Sequence, residues 1–535
     1  MSKPQLHHLL LKAEKARKTG NFAECKRFCD AILRINKSET GAVETLALCA
    51  LETKHFSEAF DAARKLTEAE PQNVNGAMIA SVALMNSSQD ELAIHILEDQ
   101  ISRTPHVHTL YFNLHSAYAA LGLNQKALEV AMKAIQLVPT NADAYNNLGA
   151  SLHACARQSD AEIAFQTAVD LNPKHFTARL NLANAISGDD AKIIEEIEYV
   201  LREGKGVLTE RALVGALHNT AFPYLRLGNL DKGWERLEYG FSPLIDSNRG
   251  RRPQRTFKEP RWTGQPLNGK TLLVWREQGL GDEIMFASML DDLHAVDGKV
   301  ILECEPRLVS MFQRSFPHFE VRAETYRATF PFDSPHNDFQ FQIPIGSLAS
   351  IYRKRIEDFE RSKPYWIVDS AKAVEYANRL RLEAAGKKLV GLCWRSAVVS
   401  PTRSSSYTLL SDWDELLSRQ DVCVVNLQYG PCEDELLAAE QRLGARVIRW
   451  RDVNMQNDLD SVAAIISNLD VVCSVGTSVA QIAAAVGVRT LLCTSGYGWP
   501  SLGTKKYPFQ PGVELLANPE KTGIKVSVDR AIHLV

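Results

Sequence analysis

A period of 34 residues in the first third of the chain restricts its fold more than any other sequence feature. Four prolines recur at this step and four alanines keep it at another phase: Pro71, Pro105, Pro139, Pro173, Ala59, Ala93, Ala127 and Ala161. This period is typical of stacked helical pairs, in which small residues let two helices approach and proline ends the second helix. The sequence therefore predicts a helical solenoid.

The clearest copy of the repeat is "ADAYNNLGASLHACARQSDAEIAFQTAVDLNPKH". It resembles the tetratricopeptide repeat, whose signature positions are occupied here by Leu148, Gly149, Ala161, Phe165, Ala168 and Pro173. The resemblance extends over roughly residues 4 to 185. It implies a concave surface that holds a peptide or another protein, and a spacer or dimerisation arm is the alternative interpretation.

Three asparagines share the 34-residue step within this array, namely Asn113, Asn147 and Asn181. Amide side chains can hydrogen-bond to the backbone of a bound segment. We predict that the three asparagines line the groove and bind a protein acceptor. They could equally be solvated polar positions.

Bulk composition excludes some partners. The 535 residues carry 61 basic and 64 acidic side chains, a formal net charge of -3, which gives no global reason to expect nucleic-acid binding. No run of about 18 apolar residues and no leader-like start is found, so we expect a cytoplasmic protein without a membrane span. The ten cysteines include no CxxC pair, so no metal site is predicted.

The second half shows a different pattern, in which short apolar runs alternate with helix-length segments. "KTLLVW", "KVILECE", "HFEVRAE" and "DFQFQIPI" form one series, and "KKLVGLCW", "VCVVNLQY", "RVIRW", "DVVCSVG" and "VRTLLCT" form a second. Such alternation predicts parallel sheets covered by helices. The fold class is therefore α + α/β, a repeat solenoid followed by two Rossmann-like halves.

The predicted domain boundaries follow from these patterns. Residues 1–185 form the repeat array, 186–260 a helical cap and linker, 261–370 the first Rossmann-like half and 371–535 the second. The helical pair at 217–241 is expected to cap the array. The arginine-rich segment "SNRGRRPQRTFKEPRW" after it is interpreted as a solvated linker or an active-site rim.

Ligands of such halves bind at the carboxyl ends of the strands, so the informative loops are 276–283, 395–407, 428–432 and 474–478. The first loop, "WREQGLGDE", lacks the GxGxxG spacing of dinucleotide sites and the GxxxxGK[ST] spacing of P-loops. Its glycines permit torsions closed to other residues. Asp282 follows them at a predicted helix start, where it could cap the helix or serve as a general base.

Several linked motifs carry a resemblance that covers nearly the whole chain. "EQGLGDEIMF", "RWTGQPLNGKTLL", "VGLCWRS", "NLQYG" and "SVGTSVAQIAAAVG" resemble bacterial proteins that fuse tetratricopeptide repeats to a GT-B glycosyltransferase domain similar to the heptosyltransferases, with an overall plan similar to that of O-linked N-acetylglucosamine transferases. The resemblance implies inverting, metal-independent transfer of a sugar from a nucleotide-sugar donor to Ser or Thr hydroxyls of a protein. No other cofactor is implied, and a flagellin-like acceptor is the favoured case.

The same resemblance implies the role of individual residues. Asp282 occupies the position of the catalytic base. The donor site would be formed by Arg395, Ser396, Gln428, Thr477, Ser478 and Gln481, with Arg403 as a weaker candidate. Arginine can bind phosphate oxygens through two hydrogen bonds, and a helix that begins near Thr477 would offer backbone N–H groups.

The chain departs from this family in its last motif. Related sequences commonly carry an acid and a histidine where Gly476 and Gln481 stand. The departure leaves the donor open between UDP- and CMP-linked sugars, a nonulosonic acid being one such case. It also leaves open a second function, a non-catalytic repeat scaffold with a degenerate transferase domain.

Overall fold

A computed structural model describes residues 3–245, 250–325, 332–333, 336–397, 406–517 and 523–535. These residues form two compact units, Met1–Leu208 and Thr209–Val535. No helix within the described ranges is long and apolar enough to cross a membrane.

The first unit is an array of helical hairpins, so the predicted solenoid is confirmed. Its described residues form twelve helices in six pairs: α1 (Lys3–Lys18), α2 (Phe22–Ile35), α3 (Thr40–Glu52), α4 (Phe56–Ala69), α5 (Val74–Met85), α6 (Asp90–Arg103), α7 (His108–Ala120), α8 (Asn124–Leu137), α9 (Ala142–Ala154), α10 (Gln158–Leu171), α11 (Phe176–Ala185) and α12 (Asp190–Glu203). Each odd-numbered helix also packs on the next odd-numbered helix, so these helices form one continuous layer.

The periodic residues have the roles that their chemistry suggests. The alanines at 59, 93, 127 and 161 are at most 1% exposed, so they lie where helices approach most closely. The prolines at 71, 105, 139 and 173 each stand two residues beyond the last residue of α4, α6, α8 or α10. Proline disfavours helical torsions in the preceding residue, which explains why all four helices end at the same phase.

Gly149 shows the same close packing in the clearest repeat. A Cβ atom placed on Gly149 would lie 2.6 Å from the ring of Phe165, closer than carbon atoms approach in proteins. The paired helices α9 and α10 therefore require glycine at this position. Helix α12 pairs with α11 in the same way, so the array continues beyond residue 185.

The second unit contains parallel sheets with helices around them, as the sequence predicted. Its described helices are α13 (Glu210–Asn219), α14 (Ala221–Arg226), α15 (Leu230–Leu237), α16 (Leu280–Ala287), α17 (Val309–Ser315), α18 (Ala349–Tyr352), α19 (Ser370–Ala384), α20 (Asp414–Ser418), α21 (Glu433–Leu443), α22 (Leu459–Ile466), α23 (Ser478–Val486) and α24 (Lys525–Leu534). Its strands are β1 (Arg255–Thr256), β2 (Thr271–Trp275), β3 (Lys299–Cys304), β4 (Glu320–Ala323), β5 (Phe332–Asp333), β6 (Phe341–Pro344), β7 (Lys388–Cys393), β8 (Val422–Asn426), β9 (Val447–Ile448), β10 (Val471–Val475), β11 (Thr490–Thr494) and β12 (Val513–Ala517).

Two of the sheets carry the α/β architecture. The first has the order β4-β3-β2-β6 and the second the order β12-β11-β10-β7-β8-β9, and all their neighbouring pairs are parallel. In each sheet the chain starts in the middle, winds to one edge and then returns to the other side of its first strand. This is the doubly wound order, and it creates a crevice beside β2 and another beside β7.

Helices α13 to α15 belong to the second unit, whereas the sequence analysis assigned them to a cap on the repeats. Trp234 on α15 is 2% exposed and donates a hydrogen bond of 2.7 Å from Nε1 to the carbonyl of Arg353. Its ring contacts Trp499 edge-on. This long-range burial outweighs the local similarity of these helices to the repeats.

The described part of the arginine-rich segment, residues 250–262, differs from the solvated linker that was one of our two interpretations. Arg251 is 1% exposed and forms an ion pair with Glu277, which is fully buried. Arg255 pairs with Glu303, and both side chains are 1% exposed. Glu277 also accepts a hydrogen bond of 2.8 Å from the backbone N–H of Gly346. Arg251 and Arg255 therefore fix this part of the segment to the strand ends of the first sheet by buried charges.

We predict that Gly149→Val lowers the free energy of unfolding of the repeat array by about 1–3 kcal/mol, because the added carbons overlap the Phe165 ring. Gly215→Val is the matched control, since Gly215 is helical and a Cβ there meets nothing within 4 Å. Urea denaturation followed by circular dichroism measures both. Equal effects of the two substitutions would show that Gly149 is not a close-packing position.

We also predict that Arg251→Met costs about 3–5 kcal/mol of folding free energy, because it leaves the carboxylate of Glu277 buried without its ion partner. The double variant Arg251→Met/Glu277→Gln should be more stable than the single variant, since glutamine is neutral and still accepts from Gly346. Denaturant titrations of the two single variants and the double variant measure this coupling. Additive losses would contradict it.

Candidate functional site

A cleft of about 640 Å³ lies within the second unit, at the carboxyl ends of strands from both sheets. Gly279 to Asp282 reach it from the turn after β2, and Arg307 reaches it from the segment after β3. From the second sheet, Ser396 follows β7 and Gly476 to Ser478 follow β10. β7 and β10 are the neighbouring strands between which the winding direction reverses, which is where ligands of doubly wound sheets bind.

The turn between β2 and α16 places Asp282 in this cleft. Gly279 is the residue before the helix, and its backbone N–H donates a hydrogen bond of 3.2 Å to Oδ2 of Asp282. The carboxylate therefore caps the helix, as one interpretation of the sequence expected. Asp282 is half-buried.

The two glycines of this turn do not adopt the torsions that were predicted for them. Gly279 has a φ of -88° and Gly281 is helical, and the positive φ of the turn belongs to Gln278, at 59°. A Cβ on Gly281 would lie 3.6 Å from the Cα of Ser478. This is an ordinary van der Waals distance, so α16 packs on the beginning of α23 with space for a Cβ atom between Gly281 and Ser478.

The beginning of α23 is the anion-attracting end of a nine-residue helix. Thr477 precedes the first turn in an extended conformation, but its side chain makes no capping hydrogen bond to that turn. The hydroxyl of Thr477 instead shares a hydrogen bond of 3.0 Å with the hydroxyl of Ser474. Thr477 therefore leaves the first turn of α23 without a cap from its own side chain, and Thr477, Ser478 and Val479 line the cleft.

Arg395 and Ser396 follow β7 but point to different surroundings. Arg395 forms an ion pair with Glu435 and donates a hydrogen bond of 2.9 Å to the carbonyl of Pro431, and it is absent from the described lining of the cleft. Ser396 does line the cleft, where its hydroxyl accepts a hydrogen bond of 3.3 Å from Tyr429. Arg403 lies outside the described residues.

Gln428 is buried and holds two loop segments together. Its Oε1 accepts from the backbone N–H groups of Trp394 and Arg395, at 3.2 and 3.0 Å. Its Nε2 donates to the carbonyls of Arg395 and Tyr429, at 2.8 and 2.9 Å. These four bonds satisfy the amide, so Gln428 joins the ends of β7 and β8 rather than facing the described cleft.

Three cleft residues have no counterpart in the sequence analysis. Arg307 donates a hydrogen bond of 2.8 Å to the carbonyl of Gln456 and so links the two halves at the cleft. Tyr507 and Met285 lie together on the inner wall of the cleft, with the Tyr507 hydroxyl 3.2 Å from the Met285 sulfur. Tyr507 is 13 residues beyond β11, and no local pattern marks it as a site residue.

The predicted acceptor-binding asparagines lie in the first unit, on α7, α9 and α11. All three are half-buried. Asn113 donates a hydrogen bond of 3.3 Å to Ser81, and Asn181 donates one of 2.9 Å to Asn146. Each of these bonds joins neighbouring repeats, so these two amides help to hold the odd-numbered layer together.

Within the described part of the chain, no group of three His, Cys, Asp or Glu side chains is arranged to hold a metal ion.

Comparison with known proteins bears on both units. The family profile of the tetratricopeptide repeat matches residues 142–175. The Protein FlbA of Caulobacter vibrioides (strain ATCC 19089 / CIP 103742 / CB 15) is 28% identical over 519 residues, which are 95% of this chain and 80% of FlbA.

Solved structures similar to part of the chain include a thermophilic TPR protein of Thermus thermophilus, 20% identical, with 34% of this chain and 98% of that chain covered and a TM-score of 0.30. The MamA protein is 19% identical, with 32% and 92% covered and a TM-score of 0.29. The match of the family profile and the helical array together lead to one conclusion: this chain contains tetratricopeptide repeats.

Proposed function

We propose that this protein is a glycosyltransferase of the GT-B type, which transfers a sugar from a nucleotide-sugar donor to a protein hydroxyl with inversion and without a metal ion. The observation that carries the proposal is the juxtaposition of two groups in one cleft. The carboxylate of Asp282 and the uncapped first turn of α23 both line the same space of about 640 Å³. A base and an anion site so placed suit group transfer from a phosphate.

In the proposed reaction the carboxylate of Asp282 and the first turn of α23 each have one role. The acceptor oxygen bonds to the anomeric carbon of the sugar while its proton passes to the carboxylate of Asp282. The bond between that carbon and the nucleotide phosphate breaks, and its electron pair leaves with the phosphate. The N–H groups at the start of α23 would stabilise this leaving charge, which is the task that metal ions perform in other transferases.

The acceptor is proposed to be a protein held by the repeats, with flagellin as the favoured case. The repeats support this because arrays of this kind present extended surfaces to other proteins. The similarity to FlbA spans 95% of this chain, which supports a common organisation of repeats and α/β unit. We place the reaction in the cytoplasm, where nucleotide sugars are substrates, and the proposed donor is a UDP- or CMP-linked sugar.

A second candidate function is a repeat scaffold whose α/β unit has lost catalysis. Arg395 favours it, because the guanidinium expected to hold the donor phosphate is paired with Glu435 instead. The two functions differ in their requirement for Asp282 and for a nucleotide.

We predict that Asp282→Asn lowers sugar transfer by about 100-fold or more, because asparagine keeps an oxygen for the N–H of Gly279 but does not accept the proton. Asp358→Asn is the matched control, since Asp358 accepts the N–H of Arg355 at 2.9 Å in the same capping geometry outside the cleft. Mass spectrometry of a flagellin co-expressed with each variant measures the modification. Undiminished modification with Asp282→Asn would refute a catalytic role for this carboxylate.

We predict that a nucleotide raises the melting temperature of the full chain, since a ligand at about 100 times its dissociation constant adds roughly 2.7 kcal/mol. UDP, CMP, GDP and ADP are tested with and without magnesium. Ser478→Glu should abolish the shift, because a negative charge at the first residue of α23 repels phosphate. The same charge should raise the stability of the unliganded protein by about 0.3–1 kcal/mol.

Ser478→Gln is the neutral control for this experiment and should retain the nucleotide shift. If no nucleotide shifts the unmodified protein, the scaffold becomes the better description of its function.

A further inference from the structure

The inner side of the cleft contains an unsatisfied amide. Gln481, the fourth residue of α23, is 8% exposed and lines the cleft. Its Nε2 donates a hydrogen bond of 2.9 Å to the hydroxyl of Tyr507. Its Oε1 has no hydrogen-bond partner among the described residues.

The contrast with Gln428 shows that this is unusual. Gln428, at 1% exposed, makes four hydrogen bonds with backbone groups, and so its amide has a purely structural explanation. A buried amide oxygen without a partner has lost its hydrogen bonds to water with nothing to replace them, which is destabilising. Native proteins rarely retain such a group unless a ligand or an ordered water pairs with it.

The position of Gln481 indicates what that ligand group is. Helical side chains lean towards the start of their helix, so Gln481 covers the first turn of α23, where the phosphate is proposed to bind. Its Cγ atom lies 3.6 Å from where a Cβ of Gly281 would be, and Gly281 adjoins Asp282. The side chain of Gln481 therefore lies beside the turn that carries the proposed base, on the helix whose first turn is the proposed anion site.

Tyr507 fixes the orientation of this amide. Its hydroxyl is buried, accepts from Gln481 and donates towards the sulfur of Met285, one turn beyond Asp282 on α16. Burial, with a smaller contribution from the charge of Asp282, raises the pKa of the Tyr507 hydroxyl. The hydroxyl accordingly stays protonated, and it holds Nε2 so that Oε1 of Gln481 is presented as an acceptor.

We propose that Gln481, oriented by Tyr507, recognises the transferred group of the donor, by accepting a hydrogen bond from an O–H or N–H of the sugar. This inference rests on the proposed function and deepens it. Gln481 then recognises the sugar and not the nucleotide. Tyr507 is a positioning residue that acts through Gln481. Sugars that carry a hydroxyl or an acylamino N–H are the class that such an acceptor fits.

The experiment compares nucleotide with nucleotide sugar on the full chain. Isothermal titration calorimetry gives the dissociation constants of UDP and UDP-N-acetylglucosamine, and of CMP and CMP-N-acetylneuraminic acid. The measured quantity is the ratio of the two constants in each pair, which reports the sugar's own contribution. We expect Gln481→Leu and Tyr507→Phe each to reduce the ratio of the preferred pair by about fivefold or more, since each removes or misplaces a buried acceptor.

Two further variants make the result specific. Gln481→Met keeps the length and neutrality of the side chain but has no amide oxygen, so it should reduce the ratio as Gln481→Leu does. Tyr111→Phe is the matched control, because it removes the hydroxyl of a buried tyrosine that donates to the carbonyl of Pro105 at 2.9 Å in the repeat array, outside the described cleft lining. This control should leave the ratio unchanged. Affinity for the nucleotide alone should stay within about twofold in all four variants.

Each other outcome has a distinct meaning. If the unmodified protein binds nucleotide but Gln481→Leu and Tyr507→Phe leave the ratio unchanged, the inference is overturned while the proposed function stands. Loss of nucleotide and nucleotide-sugar affinity in equal measure would likewise overturn it, because the pair would then support the site as a whole. If the unmodified protein binds no nucleotide or nucleotide sugar, the proposed function fails and the inference fails with it.

Discussion

The packing of α16 on the beginning of α23 is the contact on which the candidate site depends. It joins the two sheets of the second unit at their carboxyl ends, and a Cβ atom on Gly281 would already be in van der Waals contact with Ser478. The segment between the two halves fastens both helices. Tyr365 donates from its hydroxyl to Ile284 on α16, and its backbone N–H donates to Ala485 on α23, at 2.5 and 3.0 Å. A carboxylate and a helix N-terminus are thereby held across one cleft.

Buried charge fixes the strand ends behind this contact. The ion pair of Arg251 with Glu277 joins the entry segment of the second unit to the turn after β2, and Glu277 also accepts the N–H of Gly346 after β6. Such a pair adds little net stability, but either partner alone is costly to bury. The ion pair therefore acts mainly on geometry: it fixes the turn that carries Asp282 at the crevice of the first sheet.

The sequence predicted what local pattern encodes. The 34-residue step identified the solenoid, and apolar runs such as "KTLLVW" identified β2 and its parallel neighbours, because periodicity and burial act within a few residues. Asp282, Ser396, Thr477, Ser478 and Gln481 were placed at strand ends, and all five line one cleft. The features that the sequence did not indicate depend on distant partners. The burial of Arg251 requires Glu277, the engagement of Arg395 requires Glu435, and the place of Trp234 requires Trp499. Tyr507 belongs to the cleft only through contacts with α16 and α23.

Hydrogen exchange of the full chain, measured by mass spectrometry with and without a nucleoside diphosphate or monophosphate, tests the central claim most directly. That claim is that the uncapped first turn of α23 binds the phosphate of a nucleotide. The account predicts slower exchange of the backbone amides from Ser478 to Gln481, with a smaller effect at Gly279 to Asp282 across the cleft. Unchanged exchange at the first turn of α23, at a nucleotide concentration that binds elsewhere on the protein, would contradict it.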